Sequence, residues 1–140
     1  MPGLASIHLG ATCALAGLIW TVQLALYPLF ARVPADAFPA YHAAHTNRIG
    51  FVVGLLMLTE LLTAALLLLH GARQPLFLAS LVPLALAWII TALVFVPLHQ
   101  RLARAFDPTA HRALVRANWL RTAAWTLRAA LLLAAASDLP

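Results

Sequence analysis

Three charged side chains lie inside long apolar stretches of this 140-residue sequence, and they are the strongest candidates for chemistry: Glu60, Arg121 and Arg128. Placing such a charge in the middle of a membrane helix costs about 2.5 to 3.5 kcal/mol on insertion scales, so the charge needs a partner or a function. A carboxylate supplies a base or a counter-charge, and a guanidinium stabilises an enolate or a phenolate.

The spacing of these charges predicts a pair. Glu60 follows Arg48 by twelve residues, and Arg128 follows Arg116 by twelve. At 1.5 Å per residue both lie roughly 18 Å along helices that enter from the same side. We therefore predict that Glu60 and Arg128 face each other inside a helical bundle. An ion pair that only fixes helix packing and a pair that belongs to a ligand site are both consistent with this pattern.

Polar and aromatic residues recur at spacings of three and four, which places them on one face of each predicted helix. These faces predict an internal pocket, open toward the cytoplasm, for a small hydrophobic aromatic ligand. Interfacial belts are the alternative explanation for the aromatic residues near helix ends. The candidate catalytic residues are Glu60, Asn118, Arg121 and Arg128. The candidate ligand-binding residues are Trp20, Gln23, Tyr27, Trp88, Thr91, Phe95, His99 and Trp125.

Histidines offer two weaker sites. His42 and His45 are three residues apart on one helix face and are candidate metal ligands. His8 and His70 are each predicted at the outer edge of a helix and are candidate axial ligands for a haem. A histidine at a membrane boundary is also a common interfacial residue, so three cofactor states stay open: none, haem or a metal ion.

The composition dictates the elements that must position these residues. The sequence is 64% hydrophobic and 9% charged, with a mean hydropathy of +0.91, which excludes soluble globular and disordered proteins. Four stretches are long enough to cross a bilayer as helices. We predict one all-α domain over 1–140, an integral membrane four-helix bundle with helices at about 4–30, 39–70, 76–98 and 108–136. Its partners are the lipid bilayer and a small hydrophobic ligand, and a homodimer is an alternative to a monomer.

All nine basic residues are arginines, and most lie in two connections instead of lining a water-facing surface, which argues against nucleic-acid binding. The positive-inside rule places both connections in the cytoplasm. We therefore expect a multi-pass protein of the bacterial inner (cytoplasmic) membrane with both termini outside. Asp107, before Pro108, is the predicted N-cap of the last helix.

The two arginine-bearing connections resemble each other at a constant offset of 69 residues. Pro28, Arg32, Pro39 and His42 recur as Pro97, Arg101, Pro108 and His111. One interpretation is a duplicated helical hairpin, whose halves would be related by a pseudo-two-fold axis along the membrane normal. Coincidence is the alternative, because proline and arginine commonly mark membrane exits.

Three short motifs resemble the small bacterial four-helix membrane proteins grouped with anthrone oxygenases. They are the Trp20-to-Pro28 end of helix one, the Phe95-to-Leu102 end of helix three, and Asn118-Trp119-Leu120-Arg121-Thr122. The resemblance implies oxidation of an aromatic ring by molecular oxygen, with Asn118 and Arg121 as functional positions. His99 stands where that family typically has asparagine. A weaker likeness, to four-helix haem-containing protoporphyrinogen oxidases, implies a haem ligand at His8.

Overall fold

Four long helices account for nearly all of residues 2–136, the part of the chain that the computed structural model describes. Helix α1 comprises Pro2–Thr21, a π-helical turn at Val22–Leu26, Tyr27–Leu29 and a 3₁₀ turn at Phe30–Arg32. Helix α2 is Phe38–Leu69. Helix α3 comprises Pro75–Ile90, a π-helical turn at Thr91–Phe95 and Val96–Leu102, and helix α4 is Pro108–Ala134. The described residues contain no strand, which confirms the predicted all-α bundle.

Three of the four helices are long and apolar enough to cross a membrane. They are Gly3–Arg32, Phe38–Leu69 and Pro75–Leu102. Four crossings are expected from the sequence, but α4 is not among the candidate spans. The cause is its polarity, since it carries four arginines, at 112, 116, 121 and 128, together with Asn118. The two deeper arginines are buried against the other helices and do not face outward.

Each π-helical turn ends two residues before a proline. Tyr27 N–H donates to the Val22 carbonyl ahead of Pro28, and Val96 N–H donates to the Thr91 carbonyl ahead of Pro97. A proline has no N–H and its ring crowds the carbonyl four residues earlier, so a wider turn relieves the clash. The two turns begin at residues 22 and 91, the same 69-residue offset as the sequence repeat. The backbone therefore shares the offset of the sequence repeat, because each turn accompanies one of the repeated prolines.

The helix ends are fixed by local chemistry. Helix α2 ends at Leu69, and Gly71 follows its C-cap with a φ of 88°, which is accessible to glycine without strain. Ala72 N–H then donates to the Leu67 carbonyl and Gly71 N–H to the Leu68 carbonyl, which together form a Schellman motif. Helix α4 begins as predicted at Asp107, whose carboxylate accepts from the backbone N–H groups of residues 109 and 110.

The helices pack closely except along one seam, the interface between α2 and α3. Helix α1 packs along α2 and α4, and α4 packs along α3. The substantial contacts between α2 and α3 lie in the segment Val96–Leu102. We call the end of the bundle with the 33–37 and 103–107 connections the arginine-rich end. A large apolar cluster occupies this end, a smaller one around Leu67 and Phe77 occupies the other, and buried polar residues lie between them.

The N-cap predicts a specific response to acid. The N–H groups of Ala110 and Thr109 hold the pKa of Asp107 below its ordinary value, and Arg101, 2.6 Å away, adds to the effect. Because the folded pKa is lowered, the stabilisation is present above the unfolded pKa and is lost as the pH falls through the folded pKa. Asp107→Asn keeps an acceptor oxygen without a charge. We expect the melting temperature in detergent to fall less for this variant than for the wild type from about pH 5 to about pH 2. Parallel curves would refute the capping role of the charge.

Candidate functional site

A buried ion pair crosses the middle of the bundle. Arg128 Nε donates to Glu60 Oε1 at 2.5 Å, and both side chains are fully buried. The same carboxylate oxygen accepts from the Thr12 hydroxyl at 2.6 Å, and Oε2 accepts from the Trp125 indole at 3.2 Å. The predicted contact between Glu60 and Arg128 is confirmed. Each carboxylate oxygen is hydrogen-bonded, as a charge removed from water requires.

The guanidinium also orders His8 and Ser80. Arg128 Nη1 donates to the Ser80 carbonyl and hydroxyl, and Nη2 donates to His8 Nε2 at 2.9 Å. A guanidinium cannot accept, so His8 Nε2 is the acceptor and the ring proton is on Nδ1, which donates to the Thr63 hydroxyl at 2.7 Å. This polar layer therefore takes side chains from all four helices: His8 and Thr12, Glu60 and Thr63, Ser80, and Trp125 and Arg128.

A cavity of about 380 Å³ lies between this layer and the arginine-rich end. Its polar lining groups come from Tyr27, His42, Thr46, Thr91, His99, Gln100 and Arg121. Phe95 and Trp125 supply aromatic walls, and the remainder is apolar: Leu15, Leu18, Ile19, Val22, Ile49, Gly50, Val53, Val96 and Ala103. The volume falls within the range of small-ligand pockets. Trp125 belongs to both the cavity and the polar layer, because its ring lines the cavity and its indole N–H donates to Glu60.

Arg121 is the cation of the cavity. Its side chain is 5% exposed, and its guanidinium carbon lies 4.4 Å from the centroid of Phe95 and 5.3 Å from that of Trp125. The Tyr27 hydroxyl is its polar neighbour and lies within hydrogen-bonding reach of the guanidinium. Neither of the ion pairs formed within residues 2–136 includes Arg121, and its Nε has no hydrogen-bond partner there. The faces of aromatic rings attract a cation but leave its charge uncompensated.

A chain of hydrogen-bonding groups starts beside this cation. The Tyr27 hydroxyl lies 3.0 Å from His99 Nε2, and His99 Nδ1 lies 3.1 Å from His42 Nε2. Each neutral imidazole carries one N–H donor and one lone pair that accepts. A shift of protons along the chain therefore reverses the direction of its hydrogen bonds. All three side chains line the cavity. The arrangement is able to accept a proton from a bound molecule and pass it toward His42.

No protein-family model, curated protein or solved structure matches this chain. The geometry of the site is therefore the basis for assigning a function.

The structure brings only part of the predicted pocket together. Of the candidate catalytic residues Arg121 lines the cavity, and of the ligand-binding candidates Tyr27, Thr91, Phe95, His99 and Trp125 do so. Glu60 and Arg128 lie in the polar layer. Asn118 Nδ2 donates to Gln23 Oε1 at 3.0 Å, so these two bond each other and do not line the cavity.

Two predicted tryptophans also lie elsewhere. Trp20 is 39% exposed and its indole donates to the Thr126 hydroxyl at 3.0 Å. Trp88 is partly buried against the large apolar cluster. Neither side chain lines the cavity, so the structure does not bring these two ligand-binding candidates into it.

The histidines differ from their predicted roles. His8 is fully buried and not at a helix edge, because it contacts Thr63 of α2, Phe77 of α3 and Arg128 of α4. Both its ring nitrogens bond within the protein, whereas His70 is exposed, so the pair does not form an axial haem site. His42 bonds His99, and His45 packs edge-on to Phe30 at 4.9 Å. Within residues 2–136 no three His, Cys, Asp or Glu side chains group as a metal site.

Sequence reasoning missed the aliphatic walls of the cavity. Leu15, Ile19 and Val22 of α1 follow a helical spacing, as do Ile49 and Val53 of α2. That spacing is the only signal they carry, and it equally describes side chains that pack in a closed core. A cavity arises here because the neighbouring seam between α2 and α3 is not filled.

The buried pair predicts strong coupling between two substitutions. We expect Glu60→Leu and Arg128→Met each to lower the free energy of unfolding by about 3 to 5 kcal/mol, since each leaves its former partner as an uncompensated buried charge. Glu60→Leu combined with Arg128→Met removes both charges and should cost less than the sum of its single variants, by at least about 1 kcal/mol. Unfolding in mixed micelles containing a denaturing detergent measures this.

Arg116→Gln, an exposed arginine of the same helix, is the control and should change the stability by less than about 0.5 kcal/mol. Additive effects of the two substitutions at the buried pair would show that the pair does not act as a unit.

Proposed function

We propose that this protein binds a small ring compound with an acidic hydroxyl, as its anion, in the cavity beside Arg121. The observation that carries the proposal is the buried Arg121 guanidinium, which faces a cavity and has no carboxylate within ion-pair distance in the described part of the chain.

The charge count of the interior supports an anionic ligand. Within residues 2–136, two arginines and one carboxylate are buried between the helices, and the carboxylate of Glu60 is paired with Arg128. Burying an uncompensated charge is costly, and an opposite charge placed within about 4 to 6 Å favours the ionised form of both groups. A phenolate or enolate oxygen at Arg121 would neutralise the interior.

The apolar walls of the cavity favour a ligand that contains a ring. Phe95 and Trp125 present aromatic surfaces next to the guanidinium, and Leu15, Ile19 and Val53 present aliphatic surfaces. Aromatic ligands gain from offset or edge-to-face contacts with such side chains, beyond the area that they bury. A flat ring with one anionic oxygen satisfies both the charge and the apolar walls.

The proposed setting is the bacterial inner membrane, with the arginine-rich end in the cytoplasm and both termini outside. The distribution of arginines supports this orientation, because Arg32, Arg48, Arg101 and Arg104 all lie at that end. The cavity would then belong to the cytoplasmic half of the bilayer.

Binding is tested with a matched pair of ring compounds. 4-Nitrophenol ionises readily, and 4-nitroanisole has the same ring but no acidic proton. We expect the purified wild-type protein to bind the phenolate, and Arg121→Gln to weaken that binding by about thirtyfold or more, because truncating one partner of a buried charge pair costs at least about 2 kcal/mol. Calorimetric titration in detergent gives the dissociation constants.

Arg116→Gln is the matched control, since it removes an exposed arginine less than two turns away on the same helix. It should leave phenolate binding unchanged. Equal affinity of the wild type for the phenol and the anisole, or equal phenolate affinity in Arg121→Gln, would refute the proposal and leave Arg121 with a structural role.

A second candidate function is anthrone oxygenase-like oxidation of the bound ring. The chain Tyr27–His99–His42 beside Arg121 favours it, because a base and a cation together produce an enolate. A C–H proton of the ring CH₂ group would pass to the relay, and the enolate would give its electrons to molecular oxygen. In the overall balance one CH₂ group and one O₂ yield one ketone and one water.

The relay predicts a selective loss of turnover. With an anthrone as substrate we expect one O₂ consumed per ketone formed, and we expect Tyr27→Phe and His99→Gln to lower kcat by about 10²- to 10⁴-fold. Both variants should still bind 4-nitrophenolate, which separates loss of proton transfer from loss of the pocket. An oxygen electrode and product absorbance measure the two quantities. Full turnover in both variants, or no oxygen uptake by the wild type, would refute the oxygenase function while leaving the binding function intact.

A further inference from the structure

The cavity opens to the side of the bundle and not along its axis. Its exposed lining residues are Gly50 of α2, Val96 and Gln100 of α3, and Ala103, which directly follows α3. The lining residues of α1 and α4, such as Ile19 and Arg121, are buried or partly buried. The opening therefore lies between α2 and α3, the most loosely packed pair of neighbouring helices, beside the segment Val96–Leu102 in which they contact each other.

The residue types at the rim predict that the opening lies at the boundary between lipid headgroups and lipid tails. The apolar run of α2 begins at Ile49, directly after the exposed Arg48, and Gly50 is its second residue. On α3 the rim passes from the apolar Val96 to the polar Gln100, next to the exposed Arg101. A membrane-dissolved amphiphile holds its polar end at this level and its tail below it.

The rim of the opening contains a position without a side chain. Gly50 has no side chain, and a Cβ built there would meet no atom within 4 Å. Gly54, one turn further along α2, is also free of neighbours but does not line the cavity. Arg121 is a buried lining residue on α4, a helix that packs along α1 and α3 and not along the seam. A ring with an anionic oxygen that enters through the seam therefore reaches the cation with its polar end first.

We propose that the ligand is a lipid-soluble phenol or enol with an aliphatic tail, which enters sideways from the leaflet at the arginine-rich end. Its ring occupies the cavity and its tail remains between α2 and α3, in contact with lipid. This inference rests on the proposed binding function and specifies the class of ligand.

Tail length tests the inference in the wild-type protein. We use 4-alkyl-2-nitrophenols with tails of about four to about twelve carbons and the protein in lipid nanodiscs. Because each tail would be in lipid before and after binding, the affinity referred to the concentration in the membrane should stay constant within about threefold. An enclosed tail predicts instead an abrupt loss of affinity once the tail outgrows a cavity of about 380 Å³. Such a cutoff would overturn lateral entry.

Filling the rim provides the second measurement. We expect Gly50→Leu to weaken binding of the long-tailed compound about tenfold relative to 2-nitrophenol, because the leucine occupies the path of the tail. Gly54→Leu is the matched control and should leave that ratio unchanged. An unchanged ratio in Gly50→Leu, or the same change in Gly54→Leu, would overturn the proposal.

The tail-less compound separates the two proposals. If 2-nitrophenol fails to bind the wild type, the binding function itself fails. If 2-nitrophenol binds through Arg121 but the tail series shows a cutoff, only lateral entry fails. Should Gly50→Leu not yield a folded protein, the tail series in the wild type decides alone.

Discussion

The ion pair between Glu60 and Arg128 is the interaction on which the bundle depends. Its hydrogen-bonding partners come from every helix, including Thr12 of α1 and Ser80 of α3. In an apolar interior a charge pair of this kind is stable only when its remaining donors and acceptors are also satisfied. The pair therefore fixes the depth at which the four helices meet, and the two apolar clusters pack on either side of it.

Arg121, in contrast, is a buried charge that forms no ion pair among the described residues. Both arginines belong to α4 and are seven residues apart, so they lie on one face of a regular helix. Of these two arginines, only Arg128 forms an ion pair with a carboxylate among the described residues. Trp125 lies between them in sequence and joins their surroundings, since its ring faces Arg121 and its N–H bonds Glu60. The ion pair thus holds one wall of the cavity in place.

The sequence predicts most successfully where helices are regular. Asn118, Arg121, Trp125 and Arg128 form a stripe along the uninterrupted α4, and all four are buried as that stripe predicts. The pairing of Glu60 with Arg128 also follows from counting residues at a constant rise.

Prediction fails where the backbone changes its period. The stripe from Trp20 to Tyr27 crosses the π-helical turn at Val22–Leu26, and the stripe from Trp88 to His99 crosses the turn at Thr91–Phe95. One extra residue in a turn rotates the remainder of the helix by about 100°, so residues on either side no longer share a face. Tyr27 and His99 therefore face the cavity while Trp20 and Trp88 do not. The prolines that accompany these turns are visible in the sequence, but proline alone does not specify a π turn.

The cavity owes its proposed function to an uncompensated cation that it presents to a bound acid. The decisive measurement is the carbon-13 resonance of the hydroxyl-bearing carbon of labelled 2-naphthol, bound to the protein near neutral pH, because this carbon shifts when the hydroxyl ionises. We expect the naphtholate resonance in the wild type and the neutral naphthol resonance in Arg121→Gln. A neutral resonance for naphthol bound to the wild-type protein would contradict the proposed role of Arg121.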